Sequence, residues 1–318
     1  MLKIWTHTSI AWWIQKSLGR SYEIWWNWLQ IFAKSPRWWN FWLPKLDDSV
    51  TKEFFSNNEK YGQNYKMIHS VYLINLAKSP NEATKDVESV IDDFKIASKL
   101  WFEAVNVHLG KYWDNTKQQA FDNMCKNLEP ILEHAEQTWV IFLFENTTGQ
   151  GSEVWYDFVE LAEFYNYLKD KLWKDYIEKN IQFCFDTAHA WWAWYDINNF
   201  ENVINEFDKN LGIDKLYCIH LNDSKVPVWT YLDRHANLGR GFMGIYALRK
   251  VIQRALKNNI PMILETPDDT LWAEEIQIIK KIAYNELSEW ELEEFHRNYF
   301  KTEYLKKFQN YVSENSLF

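Results

Sequence analysis

Residues 181–189 read Ile181-Gln-Phe-Cys-Phe-Asp186-Thr-Ala-His189, "IQFCFDTAH", and the order of residue types in this stretch decides the fold. A short apolar run of this length is a buried strand. It ends on Asp186, and His189 follows three residues later, a spacing that suits two metal donors at a strand end. Three tryptophans then fall within four positions, at 191, 192 and 194, where a loop leaving a buried strand would use small residues.

Comparable runs lie on either side, at Leu2–Trp5, Leu29–Phe32, Lys66–His69, Ala104–His108, Val140–Glu145, Leu216–His220 and Pro261–Glu265. Between them, segments such as Asn81–Leu100, Asn115–Glu136, Trp155–Lys171, Asn198–Asn210 and Ile245–Asn258 carry apolar residues at three-and-four spacing. Pro80-Asn81-Glu82 and Asp114–Thr116 are helix starts. Eight strands interleaved with helices predict an α/β fold, a parallel (β/α)8 TIM barrel closed so that no edge is exposed.

Six consecutive strands end on a residue that binds metals: His69, His108, Glu145, Asp186, His220 and Glu265. The C-terminal ends of barrel strands converge on one rim, so these six would surround one cavity. His189, Asp233 and His235 lie just beyond strand ends. One such histidine is usually a hydrogen-bonded structural residue, and one such aspartate a helix cap. Five imidazoles and four carboxylates together are another matter, because burying them without cations is prohibitively costly. Nitrogen and oxygen donors without thiolate suit zinc in a catalytic role, with manganese or iron as substitutes, and nine donors exceed what one ion uses. His7 would face the same rim as a supporting residue, whereas His134 and His296 fall in polar helical contexts and read as solvated.

The composition is that of a globular chain, with 25% charged and 47% hydrophobic residues over 318 positions. No uncharged apolar stretch is long enough to span a membrane, and the start MLKIWTHTSI carries no secretory signal. Cys125, Cys184 and Cys218 are scattered, read as reduced buried thiols, and fit a cytoplasmic protein. A net charge of −9 argues against a nucleic-acid partner only until cations are counted, since three divalent ions would bring it to −3.

The segments LFENTTGQGS (143–152), CFDTAHA (184–190), IHLNDSK (219–225), DRHANLGRGFMG (233–244) and ILETP (263–267) resemble the endonuclease IV family, zinc-dependent apurinic/apyrimidinic endonucleases built on a xylose-isomerase-like barrel. The likeness covers residues 1–284. It implies three zinc ions: one on His69, His108 and Glu145; a second sharing Glu145 and completed by Asp186, His220 and Glu265; a third on His189, Asp233 and His235. It makes Glu145 and Glu265 the central catalytic carboxylates. It implies hydrolysis of the phosphodiester 5′ to an abasic site in duplex DNA, leaving a 3′-hydroxyl and a 5′-deoxyribose phosphate, with trimming of blocked 3′ ends, by a monomer. Arg37 of SPR, with Tyr72 and Leu73 of SVYLINL, would contact DNA and fill the gap left by a flipped-out abasic nucleotide. Sugar isomerases and epimerases share the barrel but have no need of the His189, Asp233 and His235 set. A non-catalytic binder of damaged DNA would bind the lesion without cleaving it.

Twenty tryptophans accompany only nine glycines, where a chain of this length carries roughly 22 glycines. In the family comparison tryptophan stands in glycine slots at 5, 12 and 13, in the SPRWW loop, and at 101, 155, 194 and 229. Real indoles in left-handed turns cost roughly 1–2 kcal/mol each, with overpacking on top. The expectation is a gene from a genome that reads UGA as glycine, translated as if UGA meant tryptophan. Residues 285–318, NELSEWELEEFHRNYFKTEYLKKFQNYVSENSLF, lie outside the resemblance and are expected to form one or two helices packed on the barrel.

Overall fold

The computed structural model describes residues 2–10, 13–23, 28–34, 46–62, 65–154 and 156–299. All eight expected strands form. In chain order the strands are β1 (Ile4–His7), β2 (Trp28–Phe32), β3 (Tyr65–His69), β4 (Ala104–Val107), β5 (Ile141–Glu145), β6 (Ile181–Asp186), β7 (Leu216–His220), β8 (Asp223–Ser224), β9 (His235–Ala236) and β10 (Met262–Leu264). Strands β1 to β7 and β10 close into a parallel barrel, β10 pairing with both β7 and β1. The short strands β8 and β9 form a separate antiparallel pair.

Outside the barrel run α1 (Ser17–Glu23), α2 (Asp48–Tyr61), α3 (Thr84–Leu100), α4 (Lys117–Glu136), α5 (Phe158–Lys171), α6 (Lys174–Asn180), α7 (Thr187–Ala193), α8 (Phe200–Leu211), α9 (Gly244–Lys257), α10 (Trp272–Ala283) and α11 (Glu289–Tyr299). Phenylalanines 94, 142, 144, 158, 164, 183 and 185 fill the layer between strands and helices. Thr116 starts α4 with a reciprocal capping box, its side chain accepting from the Gln119 amide while Gln119 accepts from the Thr116 amide. Helix α11 buries Leu292 and joins α9 through an Arg249–Glu289 ion pair at 2.5 Å. No helix among the described residues is long and apolar enough to cross a membrane.

Strand periodicity stacks the barrel interior in layers. Trp5, Met67, Ala104, Leu143, Cys184, Cys218 and Ile263 make one apolar interior cluster. Side chains repeat on one face every second residue, so the next layer up is His7, His69, Asn106, Glu145, Asp186, His220 and Glu265, with Gln30 from β2. That layer is polar throughout. The three cysteines are free and buried, two of them in the apolar floor.

Three expectations are corrected. The first strand runs Ile4–His7 rather than Leu2–Trp5, since its pairing with β2 extends to His7 opposite Gln30. Helix α3 begins at Thr84 rather than at Pro80, because residues from Ser79 first close a turn in which the Glu82 and Ala83 amides donate to the Ser79 carbonyl. Trp191 and Trp192 do not occupy a turn: they lie in α7, both buried, and Trp192 donates its indole N–H to Ser224 Oγ at 2.6 Å.

Left-handed backbone outside glycine occurs at Trp101, Trp113, Trp229, Tyr231, Asn259 and Asn285. The three tryptophans, with φ of 59°, 50° and 66°, are also 61–66% exposed. Two of them, Trp101 and Trp229, are expected glycine slots. Trp5 is not left-handed; it packs in the interior cluster.

Candidate metal centre

Eight of the nine expected donors converge on the barrel mouth. Their donor atoms form four tight sets: His69, Glu145 and His220; His108, Glu145 and His189; Asp186, His189 and His235; and Glu145, Asp186, His220 and Glu265. Glu145 is central. Its Oε2 lies 3.3 Å from Nε2 of His69 and 3.1 Å from Nε2 of His108, and its Oε1 lies 3.0 Å from Nδ1 of His220 and 3.2 Å from Nδ1 of His189. Glu265 Oε2 is 3.2 Å from the same His220 nitrogen. Asp233 stands apart from the tight sets, half-exposed, with Oδ1 3.8 Å from Nε2 of His235. Asp186 takes its place beside His189 and His235.

The ring orientations fit a metal. His69 directs Nδ1 at the Ser70 carbonyl at 2.6 Å, His189 at the Asn146 carbonyl at 2.9 Å, and His235 at the Glu265 carbonyl at 3.3 Å. A carbonyl only accepts, so each ring carries a proton on Nδ1, and His69 and His235, when neutral, turn the Nε2 lone pair towards Glu145 and Asp186 in the mouth. Nε2 of His108 and of His235 are buried without a hydrogen-bond partner, although carboxylate oxygens lie 3.1 and 3.8 Å away. Donors that face one another at these distances without bonding fit a cation held between them.

Electrostatics point the same way. Burial alone would raise the Glu145 carboxyl, but the His220 and His108 imidazoles outweigh it and hold it well below the usual carboxylate range. Burial opposes, and His220 and His7 enforce, the same lowering at Glu265. Burial would lower His189 and His220, yet Asp186 and Glu145 around the first, and Glu265 and Glu145 around the second, hold both well above the ordinary imidazole value. Glu145 and Glu265 are thus ionised and ready to bind cations, which would displace the imidazole protons.

Of the expected DNA-contacting residues, Tyr72 is 55% exposed beside the mouth, its ring edge-on to Phe32, His69 and His108 at centroid distances of 5.0, 5.7 and 6.1 Å. Leu73 is partly buried next to it. Arg37 lies outside the described residues. His7 meets the rim as expected, with Nδ1 3.1 Å from Glu265 Oε1. His134 and His296 sit on α4 and α11 and join none of the donor sets. Trp192 stacks on His235 at 5.4 Å and 12°, so one indole does wall the centre.

The amides were missed in the sequence. Gln30, Asn106, Asn146 and Asn222 all contact the donors: Asn146 Oδ1 accepts from the Asp186 amide at 2.7 Å, and its Nδ2 donates to the Asp186 carbonyl at 3.2 Å. The available signal was a single polar residue inside otherwise apolar strands, in WLQIF and AVNV.

Residues 23–282 match the family described as xylose isomerase-like TIM barrel. The chain is 33% identical over 285 residues to a probable endonuclease 4 of Phocaeicola vulgatus, covering 88% of this chain and 99% of that protein. It is 34% identical over 290 residues to a probable endonuclease 4 of Thermosipho africanus, covering 89% and 99%. Endonuclease IV from Thermus thermophilus superposes with a TM-score of 0.74 at 29% identity, over 89% of this chain and 99% of that one. A D-tagatose 3-epimerase-like protein shares the fold at a TM-score of 0.68 and 20% identity, over 90% and 99%. With the barrel, the order of its donors and these relatives in agreement, the chain belongs to the endonuclease IV family.

Proposed function

We propose that the chain is a metal-dependent DNA-repair endonuclease that hydrolyses the phosphodiester 5′ to abasic sites in duplex DNA. It leaves a 3′-hydroxyl and a 5′-deoxyribose phosphate, and it trims blocked 3′ ends. The observation that carries this reading is the convergence of His69, His108, Glu145, Asp186, His189, His220, His235 and Glu265 on one mouth. His189 and His235 argue against a sugar epimerase, which has no use for donors beyond the set around Glu145, Asp186, His220 and Glu265.

Three zinc ions, replaceable by manganese or iron, are the proposed cofactors. His69, His108 and Glu145 would hold one, Glu145 with Asp186, His220 and Glu265 a second, and His189 and His235 with Asp186 or Asp233 the third. When bound, such ions polarise a phosphoryl group and lower the pKa of water enough to supply a nucleophile at neutral pH. The chain's own part is to hold the donors ionised and oriented before substrate arrives, so that little reorganisation accompanies the reaction. Glu145 and Glu265 are the carboxylates at its centre. Tyr72 and Leu73, beside the His69 strand end, would occupy the space left by the extruded sugar, and Arg37 would bind phosphate or a base edge. The protein would act as a monomer in the cytoplasm, without a membrane partner.

The test is a duplex carrying one abasic analogue, incubated with protein of measured metal content, with and without a chelator. Incision 5′ to the lesion that the chelator abolishes and zinc restores is expected. Fully metallated protein that leaves the duplex intact would overturn the proposal.

A further inference from the structure

We propose that Gln30, Asn106 and Asn222 form a carboxamide shell that aims the central carboxylates and His220 at the metal ions. The inference rests on the reading of the mouth as a metal centre. Each of three carboxylates is gripped by one buried amide. Asn106 Nδ2 donates to Glu145 Oε2, Asn222 Nδ2 to Asp186 Oδ2 at 2.7 Å, and Gln30 Nε2 to Glu265 Oε1 at 2.6 Å. All three amides are buried, and two of them, Gln30 and Asn106, occupy the polar layer directly above the apolar floor. A carboxamide suits the task better than lysine or arginine would. It orients a carboxylate without adding a positive charge that competes with a cation.

Gln30 does more. Three of the histidines set Nδ1 against a backbone carbonyl, whereas His220 sets its Nδ1 against the Glu145 and Glu265 carboxylates and its Nε2 3.0 Å from Gln30 Oε1. Glu265 only accepts, so the amide must turn its nitrogen to Glu265 and its oxygen to His220. When the ring is neutral, as on a metal, its proton is therefore held on Nε2 and the Nδ1 lone pair is left for the cation. Gln30 supplies from β2 the acceptor that a backbone carbonyl supplies to the other rings.

The experiment compares the full-length protein with Gln30→Met and Asn106→Leu, which keep side-chain bulk and remove the amide. Zinc per chain is measured under graded chelator competition, circular dichroism checks the fold, and nitrogen-15 NMR reports the His220 tautomer. Retention of the ions around Glu145 is expected to weaken about 10–100-fold in each variant. In Gln30→Met alone, the protected Nε2 proton of His220 is lost. Variants that are folded, hold zinc as the parent does and keep that proton would overturn the inference. A parent protein that holds no zinc would instead sink the metal-centre reading, while loss of the protected His220 Nε2 proton in Gln30→Met, read against the parent, would still judge Gln30.

A different observation carries a second inference. We infer that positions 101, 113 and 229 are glycine in the protein as its own cell makes it. Helix α2 ends on Gly62 at φ 62°, ψ 37°, whose amide donates to the Asn58 carbonyl. Helix α3 ends in the same way on Trp101 at φ 59°, ψ 51°, whose amide donates to the Ala97 carbonyl. The same left-handed cap is thus filled once by glycine and once by the largest side chain, which here is 62% exposed. Trp113 and Trp229 repeat the combination of left-handed backbone and exposed indole. Tandem mass spectrometry of the protein isolated from its source is expected to find glycine at all three positions, encoded by UGA. Tryptophan in those peptides, or UGG in the gene, would overturn it.

Discussion

Asp186 and His189 are joined by a hydrogen bond of 2.8 Å from the His189 backbone amide to Asp186 Oδ1, so the residue that caps α7 also belongs to the donor sets of the candidate metal centre. Cap and donor can be separated. Asparagine caps about as well as aspartate but lacks the charge, whereas alanine does neither and costs about 1 kcal/mol in capping. Asp186→Asn is therefore expected to leave the unfolding midpoint of the chelated protein near that of the parent, while incision falls by on the order of 10²-fold or more. Urea titration of the metal-free proteins beside kinetics of the reloaded ones checks both halves.

Tyr72 makes edge-on ring contacts at the mouth while remaining half-exposed, which suits a group that meets substrate. Tyr72→Ala is expected to weaken binding of an abasic duplex by about 1–3 kcal/mol, the usual worth of an aromatic ring stacked on nucleic acid. Metal content should not change. Fluorescence anisotropy with lesion-bearing and intact duplexes, in parallel with zinc analysis, distinguishes this from damage to the centre.

Lys34 and Asp93 form a fully buried ion pair at 3.0 Å, and Asp93 also accepts from Ser70 Oγ at 2.7 Å, next to the donor His69. Removing one partner strands a buried charge, so Asp93→Ala should cost about 3–5 kcal/mol. Replacing both residues with leucine should recover most of that loss, because an apolar pair of similar volume often equals a buried salt bridge. Denaturant midpoints of the two proteins decide it.

Burial pushes the Cys125 thiol from 9.0 up to about 12, and the Tyr165 phenol from 10.0 up to about 12. Both are acids whose native pKa is raised, so the unfolded chain releases these protons first as pH climbs. Their contribution to stability is complete below pH 9 and is lost as pH rises towards 12. Melting temperatures recorded from pH 8 upward should fall through that window, and Cys125 should resist alkylation in the native protein at pH 8.

The barrel was legible because six of its eight strands show the same grammar, an apolar run closed by a donor, at Glu145, Asp186 and His220 alike. Strand geometry then forces such residues onto one rim, and no other information is needed to gather them. The amides carry no such mark. Gln30 and Asn106 look like isolated polar breaks in buried strands, and only the inward layer they share with Glu145 gives them meaning. The resemblance grouped Asp233 with His189 and His235, but the Asp233 side chain is half-exposed and Asp186 completes the tight set around those two rings. Trp191 and Trp192 misled for a local reason: Asp186 caps a helix directly at the strand end, where a loop was expected.

The left-handed backbone at Trp101 carries a practical consequence for anyone moving the gene between cells. If that codon is UGA, a ribosome that treats UGA as a stop signal releases its product no later than Leu100, at the end of α3. Such a fragment would contain β1 to β3 and a single member of the donor ring, His69, too little to close a barrel. Recombinant work on the intact enzyme therefore begins with rewriting codons.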